Sequence, residues 1–225
     1  VNDGKITVPV NITNTKYGYR VYITPIIPQA PYKDTAMKIP GKVEVENYDI
    51  GGPGKAYLDK DDDNKGGEYR EDAVDIVKVV DGYAVGYSQE GEWLEYTVKV
   101  DREQEYALQV HYATSSENTG MKLYVDDKAV LENVAFEKGA NWDTYTTLDA
   151  GMVKLPKGEH VLKMEIHGNF VNVDWFKFCT DAQCEDSGSV SIRGSRVELP
   201  IVEKSYAVFS MTGKYLGHVD ANGQS

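Results

Sequence analysis

The stretch that decides the fold is GYAVGYSQEGEWLEYTVKV, residues 82–100. Its second half alternates strictly, with apolar residues at every other position from Leu94 to Val100 and polar residues between them. This period of two predicts a β-strand with one face on a core. In its first half Tyr87 is flanked by glycines, which indicates a turn rather than a helix. We therefore expect a half-buried strand after a loop that holds an aromatic ring at the end of a sheet, where the ring could be a ligand platform.

The rest of the central region repeats this strand pattern. Turn residues recur about every 8 to 12 positions from Lys42 to Phe178, and no window of about 11 residues shows a helical period. Two further core-facing sets are predicted: Tyr106, Leu108, Val110 and Tyr112 on one strand, and Leu162, Met164 and Ile166 on another. The pattern predicts an all-β fold, a sandwich or barrel with very little helix.

The flanking regions predict separate partial β segments. Residues 1–27 contain two strand-like runs around a turn, and two strands cannot form a domain alone. We interpret them as the C-terminal β-hairpin of a missing upstream domain, followed by a proline-containing linker at 28–38. The sandwich is then expected at 39–180. Residues 181–225 predict a linker and the start of a small C-terminal β domain.

Composition argues against several classes of partner. The formal net charge of −12 disfavours nucleic acid and anionic membrane, because phosphate binding needs clustered Lys and Arg. No apolar run approaches the ~20 residues that span a bilayer. Sixteen tyrosines against five phenylalanines supply many rings with a polar edge, which suit sheet surfaces and sugar faces alike. A neutral ligand or a bound cation fits this composition better.

The two cysteines, Cys179 and Cys184, lie close together in FCTDAQC. A short loop could close a local disulfide between them, and the spacing is not a zinc signature. A bridge would favour an extracellular or periplasmic location. Two free thiols in a reducing compartment are the alternative.

Three carboxylates form a candidate metal site. Glu44 and Glu46 stand two positions apart in VEVENY, so a strand would project both from one face. Like charges this close are unfavourable unless a cation lies between them. Asp174 could complete an all-oxygen calcium site if the first and last strands are neighbours. A solvated strand face is the alternative.

The acidic segment 59–71 is a weaker calcium candidate. It fails the EF-hand pattern, because Asn64 occupies the glycine position and Arg70 that of the bidentate glutamate. We interpret it as a polar loop.

Catalytic motifs are absent from the sequence. The four histidines are scattered, and there is no G-x-S-x-G, H-E-x-x-H or phosphate-binding loop. Glycoside hydrolysis needs only a carboxylate pair and is therefore not excluded. Trp142 lies in a glycine-containing turn and could form, with Tyr87, two walls of a slot for the apolar faces of a sugar. Binding is the simpler interpretation.

Taken together, these motifs resemble family 6 carbohydrate-binding modules. The segments IPGKVEVENYD, YREDAVDI, YAVGYSQEGEWLEYTVKV, LPKGEHVLKMEI and VNVDWFKF occur in the family's order between about residues 39 and 178. The resemblance implies a β-sandwich jelly roll attached to a secreted polysaccharide-degrading enzyme. It also implies a structural Ca²⁺ and a ligand cleft formed by loops at one end of the sandwich. Some members also bind sugar on the concave sheet face, and no pattern here locates such a site.

The resemblance assigns roles to particular residues. The family's cleft aromatics correspond to Tyr87 and Trp142, and its cleft asparagine, which hydrogen-bonds sugar hydroxyls, corresponds to Asn172. An insertion in the cleft rim adds two candidate specificity residues. The implied carbohydrate site is thus Tyr87, Trp142, Asn172, Glu68 and Tyr69, and the implied calcium ligands are Glu44, Glu46 and Asp174.

The leading expectation is a non-catalytic module that binds a polysaccharide and keeps an upstream catalytic domain of the same polypeptide near its substrate. Xylan is the first candidate, with agarose-type and β-1,3-linked glucans behind it. One alternative is a fragment of a xylanase, agarase or glucanase that carries no active site itself. Another is a calcium-binding structural spacer.

Overall fold

The computed structural model describes residues 28–180, Cys184 and two later strands. The hairpin predicted at 1–27 lies outside the described residues. The later strands, β13 (Tyr206–Phe209) and β14 (Tyr215–Val219), form a two-stranded antiparallel sheet in the region where a further β domain is predicted. No helix of the described residues is long and apolar enough to cross a membrane.

Residues 28–180 form strands joined by turns, with two short 3-10 turns at Tyr32–Asp34 and Val45–Asn47. The strands are β1 (Met37–Ile39), β2 (Gly41–Glu44), β3 (Tyr57–Leu58), β4 (Ile76–Val79), β5 (Gly82–Val85), β6 (Trp93–Val100), β7 (Gln104–Ala113), β8 (Thr119–Val125), β9 (Lys128–Phe136), β10 (Thr146–Leu155), β11 (Gly158–His167) and β12 (Asn172–Cys179).

These strands make two sheets. The first has the order β1-β6-β11-β8-β9, with β3 also paired to β6, and the second has the order β10-β7-β12-β5-β4, with β2 paired to β12. Every pairing is antiparallel except that of β1 with β6. From β6 to β12 the chain passes repeatedly between the sheets. The predicted all-β sandwich of jelly-roll type is confirmed.

The core lies between the facing sheets and follows the predicted alternation. Leu94, Tyr96, Val98 and Val100 are at most 4% exposed. The Tyr96 ring meets Phe176 of the opposite sheet edge to face, with centroids 5.2 Å apart. Thr97 points to the other face and is nevertheless buried, because the Asp49 carboxylate accepts hydrogen bonds from its backbone N–H and its hydroxyl. Asp49 therefore covers Thr97 on the outer face of the sheet.

Residues 28–38, predicted as a linker, lie against the sandwich instead. Ala30 and Ile50 exchange two backbone hydrogen bonds, and Met37–Ile39 pairs with β6. Proline removes a backbone donor only at its own position, so the residues between Pro31 and Pro40 keep theirs and can pair at a sheet edge.

Candidate functional site

A cleft opens between three loops at one end of the sandwich, and we call it the loop cleft. Tyr87 follows β5, Trp142 lies between β9 and β10, and Asn172 begins β12. The cavity measures about 460 Å³, which is within the usual size range of ligand sites. Its lining consists of Val77, Lys78, Val79, Tyr87, Trp142, Asp143, Tyr145, Phe170 and Asn172. The structure thus brings together three predicted site residues that are far apart in sequence.

The two predicted aromatic residues are half exposed in the cleft. Tyr87 is 47% exposed and Trp142 is 46% exposed, and neither ring contacts another aromatic ring in the described part of the chain. Tyr87 has a φ of +48°, a conformation uncommon for a residue with a β-carbon. Exposed rings without aromatic partners can stack on a ligand.

Asn172 braces the cleft and offers an acceptor. Its Nδ2 donates to the Trp142 carbonyl at 2.9 Å, which ties the Trp142 loop to β12. Its Oδ1 lies against Gly86, where an added β-carbon would stand only 2.7 Å away. Beside it the Tyr145 hydroxyl is buried, and burial is the main cause that raises the pKa of Tyr145 to about 12, while the neighbouring Asn172 side chain acts in the opposite direction.

Phe170 is a cleft residue that the sequence interpretation missed. It is 52% exposed, and its carbonyl accepts hydrogen bonds from Trp142 Nε1 at 3.3 Å and Thr114 Oγ1 at 2.9 Å. The signal for it was the same as for Trp142, since GNF places an aromatic ring in a glycine-containing turn.

Glu68 and Tyr69 do not line the loop cleft. The Tyr69 ring packs against Tyr83, with centroids 4.7 Å apart, and against Tyr32 at 5.9 Å. Its hydroxyl donates to Asn47 Oδ1 at 2.7 Å. The contacts of this tyrosine are therefore within the protein.

The predicted calcium ligands are neighbours, but not on one strand face. Strand β2 ends at Glu44, and Glu46 lies in the turn Val45–Asn47, so the expectation that both carboxylates project from one strand is wrong. The chain leaves the strand here because Val45 and Glu46 are both buried, and the Tyr96 hydroxyl donates to the Val45 carbonyl. The expected neighbourhood of the first and last strands holds, since Glu44 lies opposite Trp175 of β12.

The electrostatics of these carboxylates fit a cation. Burial, with smaller contributions from Glu44 and Asp174, raises the pKa of Glu46 to about 7. Burial first and the charge of Glu44 second raise the pKa of Asp174 to about 6. Glu46 is 6% exposed, and its Oε2 is buried without a hydrogen-bond partner. An orphaned carboxylate oxygen beside two further carboxylates is a donor set that Ca²⁺ accepts.

The carboxylate oxygens of Glu44, Glu46 and Asp174 do not all lie within 4.8 Å of one another, and Lys42 Nζ lies 2.7 Å from a Glu44 oxygen. Within the described residues, the ligand atoms that all lie within 4.8 Å of one another belong instead to Asp59, Asp61 and Asp75. The loop that carries them is internally hydrogen-bonded, with backbone N–H groups donating to Asp59 and Asp75. Burial is the main cause that raises the pKa of both residues.

The protein is thus a β-sandwich with a concave cleft at its loop end, the kind of surface at which small ligands bind. The chain belongs to the family 6 carbohydrate-binding modules, because the family's model matches residues 63–180, more than half of the 225 residues. Members of this family bind carbohydrate and do not catalyse its breakdown. No curated protein matches the chain.

Similar solved structures include other modules of this family. The C-terminal module of LamC, a marine laminarinase from Zobellia galactanivorans, is 17% identical over 62% of this chain and 98% of that chain, with a TM-score of 0.48. CsCBM6-3 from Clostridium stercorarium, solved with cellobiose, is 16% identical over 65% and 98%, with a TM-score of 0.49. A family 43 arabinoxylan arabinofuranohydrolase from Bacillus subtilis is 15% identical over 65% and 28%, with a TM-score of 0.46. The family assignment rests on the sequence match.

Proposed function

We propose that the chain binds a cell-wall polysaccharide in the loop cleft and thereby keeps a catalytic domain of the same polypeptide at its substrate. The observation that carries this proposal is the pair of half-exposed rings, Tyr87 and Trp142, in one cleft with Asn172. Pyranose rings have apolar C–H faces that pack on aromatic rings, and amide groups give directional bonds to their hydroxyls. Binding of a well-hydrated ligand is modest in affinity. Tethering then raises the local concentration of the enzyme at an insoluble substrate.

The charge of the cleft favours a neutral glycan. Its lining carries one cation and one anion, Lys78 and Asp143, and the whole chain has a formal net charge of −12. A polyanionic glycan would have to approach against that net charge. Xylan remains our first candidate among neutral polysaccharides, on the strength of the family resemblance.

Affinity electrophoresis tests this proposal. The chain is run in native gels that contain xylan, agarose or β-1,3-glucan, beside a gel without polysaccharide. We expect retardation in at least one of them and its loss in Trp142→Ala. Unchanged mobility with every polysaccharide would favour the structural spacer. Release of reducing sugar by the chain would favour a hydrolase fragment.

We also propose a structural Ca²⁺ held by Glu44, Glu46 and Asp174. The support is the orphaned Glu46 Oε2, the mutual repulsion of the carboxylates, and the pairing of β2 with β12. Bound there, the ion would supply a positive charge to the buried and unpartnered Glu46 oxygen and would join the first strand of the second sheet to the last. Its role would be stability, since none of the three carboxylates lines the loop cleft.

Secretion is part of the proposal. Cys179 and Cys184 form a disulfide. Structural disulfides persist mainly in oxidising compartments, which is where an enzyme that degrades cell walls acts.

A further inference from the structure

Phe170 supplies a third open ring to the loop cleft. It is 52% exposed and, like Tyr87 and Trp142, its ring contacts no other aromatic ring in the described part of the chain. These three residues are among the few large hydrophobic side chains that residues 28–180 leave exposed. A cluster of exposed rings in a concave surface marks a binding site rather than a core.

The backbone of Phe170 is fixed in an unfavourable conformation. Its φ is +63°, a region that glycine and asparagine adopt far more readily than phenylalanine. Three hydrogen bonds hold it there: its N–H donates to the Ser88 carbonyl at 2.7 Å, and its own carbonyl accepts from Thr114 and Trp142. Glycine or asparagine at this position would make the same three backbone hydrogen bonds. A half-exposed apolar ring adds little to core packing and does not favour solubility. We therefore attribute the ring at this position to contact with a ligand.

The number of rings bears on the size of the ligand. A pyranose has two faces, and in the proposed function Tyr87 and Trp142 are two walls that contact them. A third ring in the same cavity must then meet a neighbouring sugar of the chain. Resting on that proposed function, we propose that Phe170 contacts a second, adjacent sugar unit and that the cleft selects chains over single sugars.

The test compares ligand lengths in variants of Phe170. Phe170→Asn removes the ring and suits the positive φ, Phe170→Gly is a second ring-free variant, and Phe170→Tyr keeps the ring. Binding of xylose and xylotetraose, and of glucose and cellotetraose, is measured by NMR titration, and folding is checked by melting temperature. Wild type is expected to bind the tetrasaccharide more tightly than the monosaccharide. The ring-free variants should lose roughly tenfold on the tetrasaccharide and nothing on the monosaccharide, and Phe170→Tyr should retain both.

Other outcomes overturn the proposal in distinguishable ways. Equal loss on both ligand lengths would mean that Phe170 only positions Trp142. If the ring-free variants lose no affinity for either ligand length while Trp142→Ala abolishes binding, the proposed function stands and Phe170 is not part of the site. No binding by wild type to any of these sugars, together with no retardation by xylan, agarose or β-1,3-glucan, would remove both.

Discussion

At the scale of single residues, hydrogen bonds between loops hold the cleft in shape. Trp142 donates its indole N–H to the Phe170 carbonyl, and Asn172 donates to the Trp142 carbonyl. These bonds fix the orientation of an indole that is half exposed and has little packing around it. A ring held in place before binding loses less conformational freedom when a sugar stacks on it.

The first prediction concerns the two walls of the cleft. Trp142→Ala or Tyr87→Ala should abolish measurable sugar binding while the protein stays folded, because each removes roughly 1 to 3 kcal/mol of apolar contact at an exposed site. Isothermal titration with the polysaccharide that retards the protein measures this. Tyr69→Ala is the matched control, since Tyr69 is also an exposed aromatic with a positive φ but lies outside the cleft. If both cleft variants bind with full affinity, the sugar site lies elsewhere on the protein.

The second prediction concerns Gly86. In Gly86→Ala the new β-carbon would stand 2.7 Å from Asn172 Oδ1 and force the amide to move. Gly86 itself has no positive φ, so the backbone tolerates alanine. We expect a loss of affinity close to that of Asn172→Ala, with a nearly unchanged melting temperature. A Gly86→Ala protein that binds as tightly as wild type would show that Asn172 does not contact the sugar.

At the scale of elements, regular strands and the glycine-containing turns could be predicted from sequence, and the turn at Glu46 could not. Alternation located the core face from Leu94 to Val100, because burial on one side imposes a period of two. The same reasoning failed at Glu46, because the two buried neighbours Val45 and Glu46 require the chain to turn out of the strand. Nothing in VEVENY alone signals that turn.

The third prediction concerns the pH dependence of the loop that carries Asp59 and Asp75. Burial raises the pKa of both carboxyl groups above their ordinary value of 3.8. A raised folded pKa means that the folded state binds protons more tightly, so these groups lower stability as the pH rises through that folded pKa. In EDTA, Asp75→Asn should gain melting temperature relative to wild type as the pH rises from about 4 to about 7. If the melting-temperature difference between Asp75→Asn and wild type stays constant or shrinks over that range, the raised pKa of Asp75 is contradicted.

The fourth prediction concerns the proposed calcium. A ligand that binds only the native state at 100 times its Kd adds about 2.7 kcal/mol. EDTA should therefore lower the melting temperature by about 5 to 10 °C, and excess Ca²⁺ should restore it. Glu46→Gln should blunt this response but still bind sugar, since Glu46 does not line the cleft.

Asp61→Asn is the matched control for the calcium experiment, because Asp61 belongs to the converged acidic group of the loop. This variant should respond to EDTA and Ca²⁺ like wild type. If Asp61→Asn loses the response and Glu46→Gln keeps it, the ion lies in the acidic loop. If EDTA leaves the wild-type melting curve where it was, the proposed calcium site is wrong.

At the scale of the whole molecule, the cleft joins residues that no local pattern connects. Tyr87, Trp142 and Asn172 are separated by 55 and 30 positions, and they meet because β5 and β12 pair while the Trp142 loop is bonded to Asn172. Periodicity in the sequence reports which face of a strand is buried, and it carries no record of which loops meet. The glycine-containing turns suggested a slot between Tyr87 and Trp142, and the family resemblance added Asn172 to it. Phe170 was missed, although its turn carries the same signal as that of Trp142.

The three tryptophans of the chain lie on three different surfaces. Trp142 lines the loop cleft. Trp175 stacks on His111, with centroids 4.9 Å apart, on the outer face of the second sheet. Trp93 lies on the outer face of the first sheet, 5.7 Å from Lys163 Nζ. Their indole N–H signals therefore report separately on the cleft and on the two sheet faces.

The central claim is that sugar binds in the loop cleft, and a ¹H–¹⁵N NMR titration with the oligosaccharides of the retarding polysaccharide tests it most directly. We predict that the Trp142 indole and the Asn172 side-chain amide signals shift with saturation, while the Trp93 and Trp175 indole signals stay in place. Saturable shifts of Trp93 or Trp175, with Trp142 and Asn172 unmoved, would place the site on a sheet face and contradict the account.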